Sequence, residues 1–185
     1  MHFELKHTFD APVEQVLEAM FDPTLAEFLK ANMKLIKDIK PIERVEEGNL
    51  VRRRVRYVPV PIISSVGPKK IPPEALAWVE ESTYDRAARQ IRFKNIGEHE
   101  KVRKHLENGG TLTFRDVGGK TERTVSGELK VGNLPFLLRF LSGIAERIIY
   151  SNAQDILNEE AKVFAKFLAE RRKPAAGGLG TLSSL

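Results

Sequence analysis

The sequence contains no cysteine among its 185 residues. The chain therefore has no disulfides, no thiolate nucleophile and no cysteine-ligated zinc or iron site. Long apolar runs are also missing, because the stretch Leu134 to Leu141 is interrupted by Pro135 and Arg139 and is far shorter than the roughly 20 residues of a membrane span. The N-terminus, Met1 to Phe9, lacks the basic and apolar segments of a signal peptide. We therefore predict a soluble, cytoplasmic protein.

The composition is that of a folded domain. Hydrophobic residues make up 42% of the chain and charged residues 30%, which excludes wholesale disorder and allows one sizeable core. The net charge of +5 is mild, because 25 acidic residues are interspersed among 30 basic ones. After Lys173-Pro174 the chain is rich in Ala, Gly and Ser. We predict one domain over residues 1–172 and a flexible tail over 173–185.

Apolar periodicity predicts one strand, two short helices, a run of strands and a long C-terminal helix. The strands are predicted over residues 2–9, 34–46, 50–58, 75–84, 89–96, 111–117 and 121–131. The short helices carry apolar side chains from Val13 to Phe21 and from Leu25 to Leu29, and the long helix covers 135–172 with a break near Ser142-Gly143. A long polar loop joins residues 96 and 111. The sheet therefore has about seven largely meandering strands.

The element order and two sets of motifs resemble a known superfamily. Ala11-Pro12-Val13-Glu14-Gln15-Val16 resembles the Ala-Pro-x-Glu-x-Val start of the first short helix in START-like, SRPBCC or birch-pollen-allergen-like proteins. The later motifs are similar to a bacterial branch of unknown function, and they are Gly127 to Val131, Leu134-Pro135-Phe136, Gly143, Ala145-Glu146 and Glu159 to Leu168. The resemblance covers about residues 2 to 172.

This resemblance implies an α+β helix-grip fold, in which a curved antiparallel sheet grips the C-terminal helix. It further implies a deep, mostly apolar cavity under that helix, which the superfamily uses for sterols, phospholipids, polyketides and plant hormones. It does not imply one activity, because a single fold hosts many functions.

Alternation places a set of side chains on the predicted inner face of the sheet. The candidate ligand-binding residues are Arg53, Val55, Tyr57, Trp78, Glu80, Phe93, Phe114, Arg123 and Leu129, with Leu141, Ile144 and Ile148 on the helix. Ligand pockets are mostly apolar with a few polar anchors, but these apolar side chains also suit a filled core. A buried Arg53 needs a carboxylate such as Glu80 or an anionic ligand head group as its partner. A buried Arg123 needs a partner of the same kind.

An apolar, proline-rich segment runs from Pro59 to Lys70 and ends in two lysines. It suits either a lid over the cavity mouth or a membrane contact in which the lysines meet anionic lipid. Packing on its own domain or on a second subunit is the alternative. The candidate lid or membrane residues, including those that enter the last helix, are Ile62, Ile63, Lys69, Lys70, Phe136 and Phe140.

No residue pattern points to a metal, a cofactor or a catalytic group. His99 and His105 lie in a charged stretch that we interpret as a solvated loop or strand extension, and the four histidines lack metal-ligand spacing. Gly109-Gly110 and Gly118-Gly119 resemble hairpin turns rather than phosphate-binding loops. We predict no metal, no cofactor and no nucleic-acid partner.

The leading hypothesis is a non-enzymatic carrier or sensor that binds one hydrophobic, lipid-like molecule and docks transiently on a membrane. The second is a polyketide cyclase-like, aromatase-like or hydrolase-like enzyme that uses Arg53, Glu80 or Tyr57 as acid, base or orienting group. The third is a protein-interaction module that buries its apolar loops against a partner. The predicted oligomeric state is a monomer or a weak homodimer.

Overall fold

The structure is a computed structural model that describes residues 1–61, 65–66, 69–70, 72–132 and 142–172. For residues 65, 66, 69, 70, 101 and 142–146 it describes the backbone. The strands are β1 (His2–Phe9), β2 (Ile36–Glu47), β3 (Leu50–Pro59), β4 (Ser65–Val66), β5 (Lys69–Lys70), β6 (Trp78–Asp85), β7 (Gln90–Gly97), β8 (Leu106–Val117) and β9 (Lys120–Val131). The helices are α1 (Val13–Met20), α2 (Leu25–Asn32), α3 (Glu100–His105) and α4 (Ser142–Arg172).

The main sheet has seven antiparallel strands in the order β1-β9-β8-β7-β6-β3-β2. Its hairpins turn at Gly48, with φ of 58°, and at Gly118 and Gly119, with φ of 64° and 80°. Glycine adopts such left-handed conformations without steric penalty. The predicted seven-stranded sheet and the predicted turn at Gly118-Gly119 are confirmed, whereas Gly109 and Gly110, predicted as a hairpin turn, lie within β8 and pair with both neighbouring strands.

The two short helices cover one end of the sheet. In α1 the apolar positions Val13, Val16, Leu17 and Met20 are all buried. The Asp22 carboxylate then accepts a hydrogen bond from the Thr24 backbone N–H at 2.7 Å, just before α2 begins. An Asp that bonds the backbone two residues ahead favours a turn over continued helix. The chain therefore forms two short helices, as predicted.

Helix α4 lies against the sheet and α2. Its Phe164 ring meets Phe9 edge-on at 5.1 Å, and its Phe167 ring lies 5.1 Å from Phe28. The Glu159 carboxylate accepts hydrogen bonds from the backbone N–H groups of Lys34 and Leu35 at 2.8 and 2.9 Å. The observed layers, a sheet closed by a long C-terminal helix, confirm the α+β helix-grip prediction. No described helix has both the length and the apolar composition needed to cross a membrane.

The structure differs from the sequence prediction between β7 and β8. The charged stretch predicted as a solvated loop or strand extension forms α3, and β8 begins at Leu106 rather than near residue 111. A Cβ atom at Gly97 would lie 2.7 Å from Cγ1 of Val102, so α3 packs closely where glycine leaves room. A 3₁₀ turn over Pro73–Leu76 also delays β6 to Trp78. The tail predicted over 173–185 and the helical turns predicted before Ser142 lie outside the described residues.

Candidate ligand-binding site

Strand register brings the candidate strand residues onto one face of the sheet. Across β3 and β6, Arg53 pairs with Ser82, Val55 with Glu80 and Tyr57 with Trp78. Register partners have their side chains on the same face of a sheet, and the pairing continues in this way through β7, β8 and β9. This inner face holds Arg53, Val55, Tyr57, Trp78, Glu80, Phe93, Phe114, Arg123 and Leu129. It faces α4, because Phe9 and Arg123 on it contact α4 side chains. Ligand binding by these residues stays a prediction.

At one end of the inner face, side chains fill the space under α4. We call this the closed end and define it by Phe9, Val51, Tyr84, Ile91, Phe114 and Phe164, which are at most 7% exposed. Such burial is typical of a close-packed protein core. The closed end therefore has the structure of a filled core.

At the other end, inner-face side chains keep accessible surface. We call this the open end and define it by Phe3, Tyr57, Trp78, Phe93, Tyr150 and Ile156, all of which are half-buried. The Tyr57 and Trp78 rings stack at 5.3 Å, and the Phe3 and Tyr150 rings are 6.0 Å apart. Apolar groups between two fully packed layers lose nearly all accessible surface. The described side chains therefore cover one another less completely at the open end than at the closed end.

The Tyr57 phenol is desolvated at the open end. Burial raises the pKa of Tyr57, and the nearby Glu80 carboxylate raises it further. The phenol is therefore surrounded mainly by protein atoms, although the residue as a whole keeps accessible surface.

Arg53 has the carboxylate partner that the sequence suggested. Its Nη2 donates to Oε1 of Glu80 at 3.3 Å, and its Nε donates to Oγ of Ser82 at 3.2 Å. Nη1 donates to the Met20 carbonyl at 3.2 Å, so the guanidinium also holds the end of α1. The guanidinium lies 5.4 Å from the centre of the Phe21 ring. Arg53 is thus committed to protein acceptors at the border of the open end.

Arg123 is also paired, but with a residue that sequence reasoning missed. Arg123 is 1% exposed. Its Nη2 donates to Oε2 of Glu160 on α4 at 2.5 Å. Nη2 also donates to Nδ1 of His7 at 3.2 Å, while Nε2 of His7 lies 3.1 Å from Oδ1 of Asn158. Burial, aided by the Arg123 charge, lowers the pKa of His7. These contacts join β1 and β9 to α4.

The ligand-binding candidates predicted on the C-terminal helix are Leu141, Ile144 and Ile148, and the structure describes them to different extents. Leu141 lies outside the described residues, and of Ile144 only the backbone is described. Ile148 is 46% exposed, although the sequence predicted that it faces the sheet. Two positions further on, Tyr150 contacts Phe3. Residues two apart on a helix are separated by about 200°, so Ile148 points away from that contact.

The lid or membrane candidates stay predictions. Ile62, Ile63, Phe136 and Phe140 lie outside the described residues. The backbones of Lys69 and Lys70 pair with those of Val66 and Ser65 in the β4–β5 ribbon, which is a local ordering that the sequence did not predict.

Two further inner-face residues were missed by sequence reasoning. Asn95 follows Phe93 by two positions on β7, so strand alternation places both side chains on one face. Its register partner on β8 is Asn108. Alternation alone was enough to find Asn95. Asn108 was not accessible to that argument, because the sequence assigned it to a loop.

The outer face of the sheet carries the remaining arginines of β3. Arg52 pairs with Glu47 at 3.2 Å, Arg54 with Glu81 at 3.2 Å and Arg56 with Glu98 at 2.8 Å. Two surface depressions, of about 610 and 560 Å³, are lined largely by outward-facing residues of the sheet such as Glu4, Ser126, Arg92 and Lys94. Exposed ion pairs contribute little to stability, so this face serves chiefly as a solvated surface.

Solved structures share this architecture over nearly the whole chain. The Zhui aromatase/cyclase from Streptomyces sp. R1128 matches with a TM-score of 0.67 and 14% identity, over 96% of this chain and 99% of its own. A protein of Thermus thermophilus matches with a TM-score of 0.65 and 20% identity, over 94% of this chain and 100% of its own. Norcoclaurine synthase from Thalictrum flavum, in complex with dopamine and hydroxybenzaldehyde, matches with a TM-score of 0.63 and 16% identity. The match covers 94% of this chain and 89% of the synthase chain.

At these identities the similarity shows the fold and leaves the activity open. The chain has the START-like, SRPBCC-type helix-grip fold that its motifs predict. No family model matches the sequence, and no curated protein matches it.

Proposed function

We propose that the protein binds a hydrophobic small molecule between the inner face of the sheet and α4, as a carrier or sensor. The observation that supports this function is the open end, where aromatic side chains of the inner face keep accessible surface and Tyr57 stacks on Trp78. A norcoclaurine synthase with this fold is solved with dopamine and hydroxybenzaldehyde, two small aromatic molecules. An apolar enclosure with a few polar groups is the usual form of a ligand site.

Native mass spectrometry of the purified protein, followed by solvent extraction, tests the proposal. We expect a non-covalent adduct or, after extraction, saturable binding of an apolar probe that changes the fluorescence of Trp78, the one tryptophan in the chain. Phe93→Ala should weaken that binding by about tenfold, which corresponds to about 1.4 kcal/mol. Val117→Ala is the matched control, because Val117 is 49% exposed on the same sheet. A protein that carries no adduct and binds no apolar probe would contradict the proposal.

The finer parts of this proposal are a lipid-like ligand, a cytoplasmic location and transient docking on membranes through Ile62, Ile63, Lys69 and Lys70. Ile63→Asp should reduce flotation with anionic liposomes, since a charge disfavours insertion of an apolar loop. Equal flotation of both proteins would remove the membrane part and leave ligand binding intact.

An enzymatic function is the second candidate, and one observation favours it: Glu80 lies on the inner face beside Arg53, with its side chain 21% exposed. A carboxylate in such a site suits proton transfer to or from a bound molecule. Two of the matched structures are an aromatase/cyclase and a synthase. An enzyme would lose turnover on Glu80→Gln while it still binds substrate.

A further inference from the structure

A row of polar side chains crosses the inner face at the open end. Val55 pairs with Glu80, Glu80 with Asn95, Asn95 with Asn108, and Asn108 with Leu129. Neighbouring strands are about 4.8 Å apart, so three adjacent side chains span about 10 Å. We call Glu80, Asn95 and Asn108 the polar row.

The polar row contains unused hydrogen-bond acceptors. The Oδ1 atoms of Asn95 and Asn108 are buried and, among the residues that the structure describes, have no hydrogen-bond partner. Buried polar atoms in folded proteins are nearly always paired, and an unpaired one is destabilising. A bound molecule that donates hydrogen bonds would satisfy both atoms.

The nearest cation is already paired with the protein. Each of the three nitrogens of Arg53 donates one hydrogen bond, to Ser82, Met20 and Glu80. The atoms of the polar row that are buried without a partner are the two amide oxygens, and the Glu80 carboxylate beside them is also an acceptor. An anionic head group placed there would be repelled by the Glu80 carboxylate.

Apolar surface flanks the polar row on both sides. Two residues along the strands on one side of the polar row, Tyr57 pairs with Trp78. Two residues along on the other side, Ser82 pairs with Phe93. A ligand with one polar end and an apolar body can therefore contact both kinds of surface at once.

We propose that the ligand carries a hydroxyl or ammonium head group that donates hydrogen bonds to the polar row, while its apolar body contacts Tyr57, Trp78 and Phe93. This inference rests on the proposed function, because it assigns the polar end of the same ligand. It selects apolar alcohols and amines as the ligand class and excludes fatty acids.

Three probes of equal chain length test the selection: dodecanol, dodecylamine and dodecanoic acid, each titrated while Trp78 fluorescence is recorded. Dodecyl methyl ether, which has no donor, is the fourth probe. We expect the alcohol and the amine to bind at least about tenfold more tightly than the acid, a difference of about 1.4 kcal/mol. The net charge of +5 favours the acid non-specifically, so a preference for the amine cannot come from overall charge. Tighter or equal binding of the acid would overturn the inference.

Substitutions locate the effect. In Asn95→Leu/Asn108→Leu, the affinity for dodecanol and dodecylamine should fall about tenfold while that for the ether holds, and the Tm of the ligand-free protein should rise because two unpaired amides are gone. Thr113→Val, on the exposed outer face of β8, should change neither. Glu80→Gln should weaken binding of the amine more than that of the alcohol. If far-UV circular dichroism shows that the double variant is unfolded, the same titrations are made with the single variant Asn95→Leu.

The results separate this inference from the proposed function. If none of the four probes changes Trp78 fluorescence, the proposed function fails. If all four bind equally well, or if the variants keep the wild-type preference, the protein still binds apolar molecules and only the assignment of the head group is wrong.

Discussion

The closed end and the open end are built from the same sheet and the same helix, yet they are packed differently. At the closed end, Phe9 and Phe164 are 1% and 0% exposed. At the open end, Phe93 and Trp78 remain half-buried on the same face. The difference shows that the inner-face side chains named here are packed more completely at the closed end than at the open end.

This division separates stability from binding. A filled core supplies most of the free energy of folding through burial and dispersion contacts. Surface left accessible inside the protein supplies none of that free energy until a guest covers it. We expect variants of the closed end to unfold the protein easily and variants of the open end to change ligand binding first.

The largest expected effect is that of Phe164→Ala, which should lower the free energy of unfolding by about 3–5 kcal/mol through loss of burial and creation of a cavity. Phe93→Ala should cost about 1–2 kcal/mol, because the side chain already keeps accessible surface in the folded protein. Urea unfolding followed by circular dichroism measures both values. Equal losses would show that the open end is packed as tightly as the closed end.

The two inner-face arginines give the next comparison. Arg123→Met should destabilise by about 3 kcal/mol, because the Arg123 side chain is 2% exposed and its bonds to both Glu160 oxygens are lost. Arg53→Met should cost about 1 kcal/mol, since the Arg53 side chain is 20% exposed and bonds only one Glu80 oxygen, at 3.3 Å. Thermal and urea unfolding of both variants test the order. A larger loss for Arg53→Met would contradict the assignment of Arg123 as the main link between sheet and helix.

The smallest expected effect is a pH dependence from His7. Its pKa is lowered in the folded state from an ordinary value of 6.5, chiefly by burial and then by Arg123. Folding therefore favours neutral His7, and stability is full above pH 6.5 and falls as the pH drops through the lowered pKa. In His7→Gln the slope of stability between about pH 8 and pH 5 should flatten. His2→Gln is the control, because the His2 side chain is 82% exposed, and a slope unchanged in His7→Gln would refute the assignment.

Much of the fold could be predicted because its signals are local. The Ala11-Pro12 motif, the alternation of β1 and β3 and the glycines at the hairpin turns all act within a few residues. The stretch from Glu98 to His105 was predicted as a solvated loop or strand extension because of its charge, but most of it is helical. Its helix depends on Val102 packing against Gly97, a contact that composition does not reveal.

The candidate site was predictable only in part. Alternation placed Arg53, Tyr57, Trp78 and Glu80 on a common face, and the register confirms that arrangement. The exposure of Ile148 was not predicted, because helical spacing identifies an apolar stripe but not the rotation of a helix about its axis.

Periodicity in the chain specifies which side chains share a strand face or a helix side, since those positions follow from backbone geometry over a few residues. It could not specify that Arg123 meets Glu160, that Asn95 lies beside Asn108, or that one end of the interface stays partly accessible. Those features depend on strand register and on how α4 docks, which join residues far apart in the chain. Long-range packing therefore determines which part of the inner face stays accessible.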